Sequence, residues 1–247
     1  MTKLLISGAC GRMGRLLSQE AQGRGFEVSC GVDPLAEKVA GFPVFPSFDK
    51  VTEESDLLID FSTPKTLYKL LDFAVHHALP CVLGATGYTS KDLVRIQAAS
   101  AAIPIFQSPN MSRGVYVLKQ LAAEAARLLP DFDIEIIEKH HHQKADSPSG
   151  TAYSILSNVS GADTVPVFGR KGDETKRDRR EIGVHAVRGG TVAGEHEVGY
   201  YGNHEVLTLS HSAQSRIVFV SGALAAAEWL LKMPPGLYGM QDFFGAD

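Results

Sequence analysis

The chain has 247 residues, 44% of them hydrophobic and 21% charged, with 24 Lys and Arg against 28 Asp and Glu and a net charge of -4. That length can bury a sizeable core in one or two domains, and the mildly acidic balance gives no electrostatic footprint for nucleic acid or an anionic membrane. No run of about 20 apolar residues occurs, the amino terminus lacks the apolar core and cleavage site of a signal peptide, and three cysteines are too few for a disulfide framework, so the cytoplasm is the expected location.

In chain order, residues 3–7 read as a buried strand that runs into Gly8-Ala9-Cys10-Gly11-Arg12-Met13-Gly14. Over 12–22, Met13, Leu16, Leu17 and Ala21 recur at helical spacing, which places the glycines where backbone can approach a pyrophosphate at a helix amino terminus. A strand at 27–32 then ends at Asp33, an acid about 20 residues past the turn, as the ribose hydroxyls of a dinucleotide require. The spacing is G-x-x-G-x-x-G, which by itself also suits a structural glycine turn; the strand, helix and acid around it favour dinucleotide binding. Cys10 sits against the expected pyrophosphate, where it serves packing rather than nucleophilic attack.

Further strands are predicted at 57–60, 81–83 and 103–107. Helices are predicted at 65–77, with Leu67, Leu70, Leu71 and Ala74 on one face, and at 90–99, with Leu93, Val94 and Ile96. This alternation predicts an α/β, Rossmann-like unit, with the turns Phe61-Ser62-Thr63-Pro64 and Gly84-Ala85-Thr86-Gly87 at carboxyl ends of strands, where open sheets bind ligands. After a long amphipathic helix at 114–129 the pattern changes. A strand at 132–140, a helix at 150–160 and short β segments over 182–210, broken by Gly189-Gly190 and Gly202-Asn203, predict an α+β domain with a mixed or antiparallel sheet. Residues 216–231 are helical again and carry Trp229. The charged stretch 170–181 reads as a solvated, mobile loop, the sharper alternative being a lid that brings Arg or Lys to a ligand.

Residues 135–152, E-I-I-E-K-H-H-H-Q-K-A-D-S-P-S-G-T-A, concentrate chemistry: three imidazoles, the Lys144 cation and a helix start at Pro148-Ser149-Gly150-Thr151. Unpaired N–H groups at such a start form an anion site beside a proton donor, which suits a small carboxylate. Adjacent strand residues point to opposite faces, so His140, His141 and His142 are not expected to hold a metal.

These eighteen residues match the signature E-[IV]-x-E-x-H-x-x-x-K-x-D-x-P-S-G-T-A, and the chain thereby resembles the 4-hydroxy-tetrahydrodipicolinate (dihydrodipicolinate) reductase family. The resemblance covers essentially the whole chain, through G-x-x-G-R-M-G at 8–14, Asp-Phe-Ser at 60–62, Gly-Ala-Thr-Gly at 84–87 and Ser-Pro-Asn-Met at 108–111. It implies reduction of a cyclic dicarboxylate in the diaminopimelate route to lysine. It also implies a discontinuous dinucleotide-binding domain, 1–110 with 216–247, and a domain at 111–215 for substrate binding and assembly of a homotetramer. The cofactor is implied to lie against Gly8, Ala9, Cys10, Gly11, Arg12, Met13, Asp33, Phe61, Ser62, Gly84, Ala85, Thr86, Ser108, Pro109, Asn110 and Met111. His140 matches the general acid, Lys144 the second catalytic position and His141 a substrate-binding position; Ser149, Gly150 and Thr151 clamp a substrate carboxylate through backbone N–H groups and the Thr151 hydroxyl. Asp146 is expected to fix the turn rather than react.

Asp33 favours the free ribose diol of NADH, and Pro34 follows it where many relatives carry an arginine for NADPH, so NADH is expected to be preferred; use of NADPH stays open because Lys38 is near in sequence. Two rival readings carry less of the chain. A regulatory NAD(H)-binding protein would leave residues 135–152 idle. A semialdehyde dehydrogenase would need a cysteine nucleophile near the second domain, whereas all three cysteines precede residue 82.

Overall fold

The computed structural model describes residues 1–35, 41–172 and 176–245, and Lys38 lies outside them. The chain divides into two compact units, Met1–Met111 with Ile217–Asp247, and Ser112–Arg216.

The first unit is a parallel sheet with helices on both faces. In chain order it contains β1 (Thr2–Ser7), α1 (Arg12–Ala21), β2 (Phe26–Val32), β3 (Val44–Phe45), β4 (Leu57–Asp60), α2 (Leu67–His76), β5 (Cys81–Leu83), α3 (Ser90–Ala99) and β6 (Pro104–Gln107). The strands order β12-β6-β5-β4-β1-β2-β3, with β12 (Gly236–Tyr238) returning from the end of the chain to pair parallel with β6. Strand residues alternate between the faces, so each face builds its own core. Leu4, Ile6, Leu57, Ile59, Val82 and Phe106 pack with Leu17 and Ala21 of α1 and with Val220, Ala223, Leu224 and Ala227. Those last four belong to α6 (Ile217–Leu230), a helix apolar on nearly every side and buried accordingly. On the other face, Leu5, Leu58, Cys81, Leu83 and Ile105 meet Leu67, Leu70, Leu71 and Ile96 of α2 and α3.

Strand order reverses at β1: β2 and β3 extend to one side, β4, β5 and β6 to the other. Such a switch point opens a crevice at the carboxyl ends of the strands, and the glycine turn lies at that end of β1. Gly8 adopts φ +80, and a Cβ there would lie 3.0 Å from the Phe61 carbonyl oxygen, so the turns after β1 and β4 touch backbone to backbone.

The second unit contains α4 (Arg113–Leu128), β7 (Asp133–His140), α5 (Gly150–Val159), β8 (Val165–Phe168), β9 (Glu181–Arg188), β10 (Gly194–Tyr201) and β11 (Val206–Ala213). Its sheet is mixed, in the order β11-β10-β7-β9-β8: β7 pairs antiparallel with β10 and parallel with β9. One face carries Ile136, Ile182, Val184, Val198 and Tyr200 against Leu118 and Ala122 of α4 and Ala152, Ile155 and Val159 of α5. The fully buried Tyr200 hydroxyl donates to the Ala122 carbonyl at 2.6 Å.

The α/β unit and the mixed sheet are the predicted classes, and the longer elements fall within a residue or two of expectation. The unpredicted elements are short: β3, β8, β12 and α7 (Met240–Phe244). β8 contains Pro166 and lies at a sheet edge, where a missing N–H is tolerated. The stretch 170–181, predicted as a mobile loop, is instead tethered at its described ends to the uncovered face of the mixed sheet. Arg170 pairs with Glu135 at 2.9 Å and Glu181 at 2.7 Å, and Arg177 with Asp133 at 2.6 Å and Glu135 at 3.2 Å. Glu135 sits on a strand and gives the arginines a fixed, half-buried partner, one that the composition of 170–181 alone does not reveal.

A Cβ at Gly14 would lie 2.2 Å from the Gly8 carbonyl oxygen and 2.7 Å from Ala9 Cα, both backbone atoms that cannot move aside. Gly14→Ala is therefore expected to lower stability by about 1–3 kcal/mol, read as a lower urea midpoint at unchanged slope.

Candidate active site

Two groups of the expected residues come together, one within each unit. In the first unit they gather at the carboxyl ends of the parallel strands. Gly8 N–H donates to the Val32 carbonyl at 2.8 Å, which brings the glycine turn against the carboxyl end of β2 and against Asp33. Asp33 is buried, its Oδ2 accepting from Cys10 N–H and its Oδ1 from Leu35 N–H, both at 3.0 Å. Each oxygen keeps acceptor capacity for a ribose hydroxyl, since an ionised carboxylate offers about four lone-pair sites. Cys10 is buried, as are Cys30 and Cys81. Gly11 caps the start of α1, with Arg12 and Met13 in its first turn, and the Cys10 carbonyl accepts from Arg15 Nε at 2.9 Å.

The next two turns line the same end of the sheet. Asp60 is buried at the end of β4; its Oδ1 accepts from Ser62 N–H at 3.1 Å and from the Ser62 hydroxyl at 2.5 Å. Burial pushes the Asp60 carboxyl up, and the Ser62 and Ser7 hydroxyls oppose it. Phe61 lies against Gly84, where a Cβ would come within 2.5 Å of its ring, so the turns bearing Phe61-Ser62 and Gly84-Ala85-Thr86 are neighbours. Ser108 closes the turn after β6 by donating to the Asn110 carbonyl at 2.8 Å; Pro109 is exposed and Met111 is buried in the core.

In the second unit the chemistry lies at one end of the buried sheet face. Along β7 the buried residues alternate as Ile136, Glu138 and His140, so the face that begins as hydrophobic core ends as a carboxylate and an imidazole. His140 Nδ1 lies 2.5 Å from Glu138 Oε2. Glu138, fully buried, also accepts from both terminal nitrogens of Arg188 at 2.8 and 2.7 Å and from Ser149 N–H at 3.0 Å. Burial alone would raise the Glu138 carboxyl, and the Arg188, His140 and Ser149 hydrogen bonds outweigh it, leaving the group below its ordinary range. Burial lowers the His140 imidazole; the Glu138 hydrogen bond and charge pull it upward, while Lys144 and Arg188 push it down again.

Lys144 pairs with Asp146 at 2.8 Å, and the Asp146 carbonyl accepts from Arg188 at 2.7 Å, so Asp146 braces the turn as expected of it. His141 and His142 leave the strand and take separate partners. His141 N–H donates to the Val192 carbonyl at 2.8 Å and its Nε2 lies 3.4 Å from Arg216 Nη2; His142 Nδ1 lies 2.8 Å from the Gly190 carbonyl.

One expectation needs correction. The backbone N–H of Ser149, read as part of a carboxylate clamp, is taken by Glu138, and its hydroxyl caps α5 by accepting from Ala152 N–H at 3.1 Å. Ser149 is 2% exposed, so it orders the turn from beneath; Gly150 is the exposed member and Thr151 is half-buried.

Three residues packed around His140 escaped the sequence reading: Glu138, Arg188 and His196. Glu138 had a signal, because a residue two before His140 on a strand shares its face. Arg188 and His196 had none, being placed by pairing alone: His140 is in register with Arg188, and Glu138 with His196. The His196 ring stands edge-on to that of His140 at 5.2 Å, and its Nε2 lies 3.0 Å from the Ser149 hydroxyl.

A glycine turn at the switch point of a parallel sheet, joined in one chain to a mixed-sheet unit bearing a carboxylate, an imidazole and cations, is the plan of a two-unit oxidoreductase of the pyridine-nucleotide-dependent class. The family profile described as dihydrodipicolinate reductase, N-terminus, matches residues 2–111, and the one described as dihydrodipicolinate reductase, C-terminus, matches residues 114–244. A 4-hydroxy-tetrahydrodipicolinate reductase of Caldanaerobacter subterraneus subsp. tengcongensis is 45% identical over 246 residues, covering 98% of each chain. One of Clostridium novyi is 40% identical over 247 residues, again covering 98% of each. The chain belongs to the dihydrodipicolinate reductase family. Its fold matches that of a dipicolinate-bound dihydrodipicolinate reductase from Paenisporosarcina sp. TG-14, with a TM-score of 0.79 at 24% identity over 98% of this chain and 99% of that one. Among the described residues no helix is long and apolar enough to cross a membrane.

Burial, with the charge of His140 next, holds the His196 imidazole down at about 4, against an ordinary 6.5. The unfolded chain therefore takes a proton that the folded chain refuses: the contribution to stability is full above pH 6.5 and is lost as pH falls toward 4. Between pH 7.5 and 5 the wild type is expected to lose about 2 kcal/mol more than His196→Gln, measured by urea unfolding at each pH.

Proposed function

We propose that this enzyme reduces 4-hydroxy-tetrahydrodipicolinate to tetrahydrodipicolinate, using NAD(P)H, in the diaminopimelate route to lysine. The observation that carries the reading is the buried Glu138–His140 pair beside Lys144 and the start of α5, all within residues 135–152. The names of the relatives supply the substrate, and the dipicolinate bound to the Paenisporosarcina protein is a ring dicarboxylate of the same kind.

The dinucleotide fits the first unit: Gly8 and Gly14 leave backbone bare where a side chain would collide, and Asp33 offers carboxylate oxygens to a ribose diol. The bound dihydronicotinamide supplies hydride to ring carbon C4. Within the chain, Gly11, Arg12 and Met13 at the start of α1 receive the pyrophosphate, while Phe61-Ser62, Gly84 to Thr86 and Ser108 to Met111 line the nicotinamide side. The C4 hydroxyl leaves as water, which opens a conjugated imine; hydride then adds at C4 and leaves the ring as an enamine that takes a proton at the neighbouring carbon. His140 donates it from Nε2, since Nδ1 is turned to Glu138.

A buried imidazole beside Lys144 and Arg188 holds its proton weakly, which favours donation; the dianionic substrate restores the charged form before transfer. Lys144 exchanges Asp146 for a substrate carboxylate and stabilises charge in the transition state. Gly150 N–H and Thr151 complete the carboxylate site at the start of α5, and His141 contacts the substrate. Ser149 supports this clamp from within. The uncovered face of the mixed sheet, where Ile137 and Val187 stand beside the Glu135 ion pairs, supports assembly of a homotetramer, and the cytoplasm is the proposed location. Asp33 followed by Pro34 favours NADH, because a carboxylate repels a 2′-phosphate; NADPH is the weaker cofactor.

The test is a coupled assay in which the condensation product of pyruvate and aspartate semialdehyde is supplied and NADH consumption followed. Steady turnover is expected, and a flat trace from folded protein removes the reading. His140→Gln should lower kcat by about 100-fold or more with a small change in KM, whereas Lys144→Ala should impair both. Catalytic efficiency should be about 10-fold or more higher with NADH than with NADPH; equal values would overturn the preference.

A further inference from the structure

Glu138 has more partners than a structural carboxylate needs. Its two oxygens accept four hydrogen bonds, from His140 Nδ1, from two nitrogens of Arg188 and from Ser149 N–H, and these use all of the roughly four lone-pair sites a carboxylate has. The donors come from three places in the chain: β7 itself, β9 and the turn that opens α5. A fully buried anion saturated in this way cannot rotate or accept another donor, so the ring it holds is fixed as well. The far side of that ring is kept clear by a glycine, since a Cβ on Gly194 would stand 3.0 Å from His140 Nε2.

We propose that Glu138 is the positioning residue for His140: it holds Nδ1–H so that Nε2 is the nitrogen that exchanges the proton, and Arg188 clamps the carboxylate in that pose. The inference rests on the reading of His140 as proton donor. It adds that the donor's tautomer and aim are set by a second buried charge, much as outer partners orient ligating or catalytic imidazoles elsewhere. The charged and titratable groups around His140 are Glu138 on its own strand, Arg188 on β9, His196 on β10 and Lys144 in the following turn. Of these only Glu138 favours the imidazolium; Lys144 and Arg188 oppose it, and His196 stays neutral across the working range because burial holds it at about 4. Removing the Glu138 charge therefore leaves the ring among cations alone.

The experiment compares Glu138→Gln, His140→Gln and the wild type by thermal melting, by the pH dependence of kcat, and by nitrogen-15 NMR of labelled histidine. In Glu138→Gln the substitution keeps the shape but places an amide where the carboxylate accepted from Nδ1. Turnover at pH 7.5 should fall about 10-fold or more with KM within about threefold, and the alkaline limb of the kcat profile should move about one pH unit lower. The wild-type His140 ring should show the Nδ1-protonated tautomer, which the variant loses. If Glu138→Gln does not fold, Glu138→Gln with Arg188→Met removes the stranded cation; the same losses of turnover and of the Nδ1-protonated tautomer are expected of it, with a smaller move of the alkaline limb because Arg188 no longer opposes the imidazolium. A kcat profile that superimposes on the wild type after scaling for folded fraction would reduce Glu138 to a structural role, as would an Nε2-protonated wild-type ring. Full turnover by His140→Gln would instead remove the proton-donor reading, while the NMR result would still report whether Glu138 sets the tautomer.

Discussion

The second unit depends on one buried charge. Glu138 sits at the point where the hydrophobic face of β7 ends, and a carboxylate there is tolerated only because Arg188, His140 and Ser149 satisfy it from three segments of the chain. Breaking such a buried pair by removing one partner typically costs about 3–5 kcal/mol, because the remaining charge has no water to turn to. The same constraint that holds β9 and the start of α5 against β7 also aligns the imidazole, so stability and geometry come from a single set of contacts. Ser149 shows this double use plainly: its N–H serves Glu138, its hydroxyl caps α5 and meets His196, and the turn that presents Gly150 outward is pinned from beneath.

The first unit is governed by sterics instead. Its turns approach each other so closely that side chains are excluded at Gly8 and Gly14, and bare backbone remains there. Asp33 is not a free acid awaiting a ligand. Its oxygens already accept from Cys10 and Leu35, which fixes the carboxylate in place. Asp60 does similar work two strands over, where its hydrogen bonds to Ser62 shape the turn that abuts the glycine loop.

The two faces of the mixed sheet divide their labour. The covered face carries core and then site; the other carries Glu135, His185, Arg170, Arg177 and Asp133 as a network of half-exposed ion pairs. Both glutamates of the stretch 135–152 are thus ion-paired anchors, three residues apart and on opposite faces of one strand. Only Glu138 reaches the imidazole.

Much of this was legible in the residues. The parallel sheet followed from apolar strands alternating with amphipathic helices, the tight turn after β1 from Gly8 to Gly14, and the start of α5 from Ser149 ahead of a helical pattern. These are local signals, read within one or two turns of chain, and they also indicate which face a residue occupies, as the two-residue spacing of Glu138 and His140 does. What local pattern cannot encode is which strand lies alongside and in what register. Arg188 stands 50 residues from Glu138, and His196 stands 47 from Ser149. Parallel pairing of β7 with β9 and antiparallel pairing with β10 brings them together. A one-residue slip in either pairing would turn those side chains to the opposite face, and the register that prevents it is set by burial of the whole sheet against α4 and α5, a property of the folded chain and not of any segment of it.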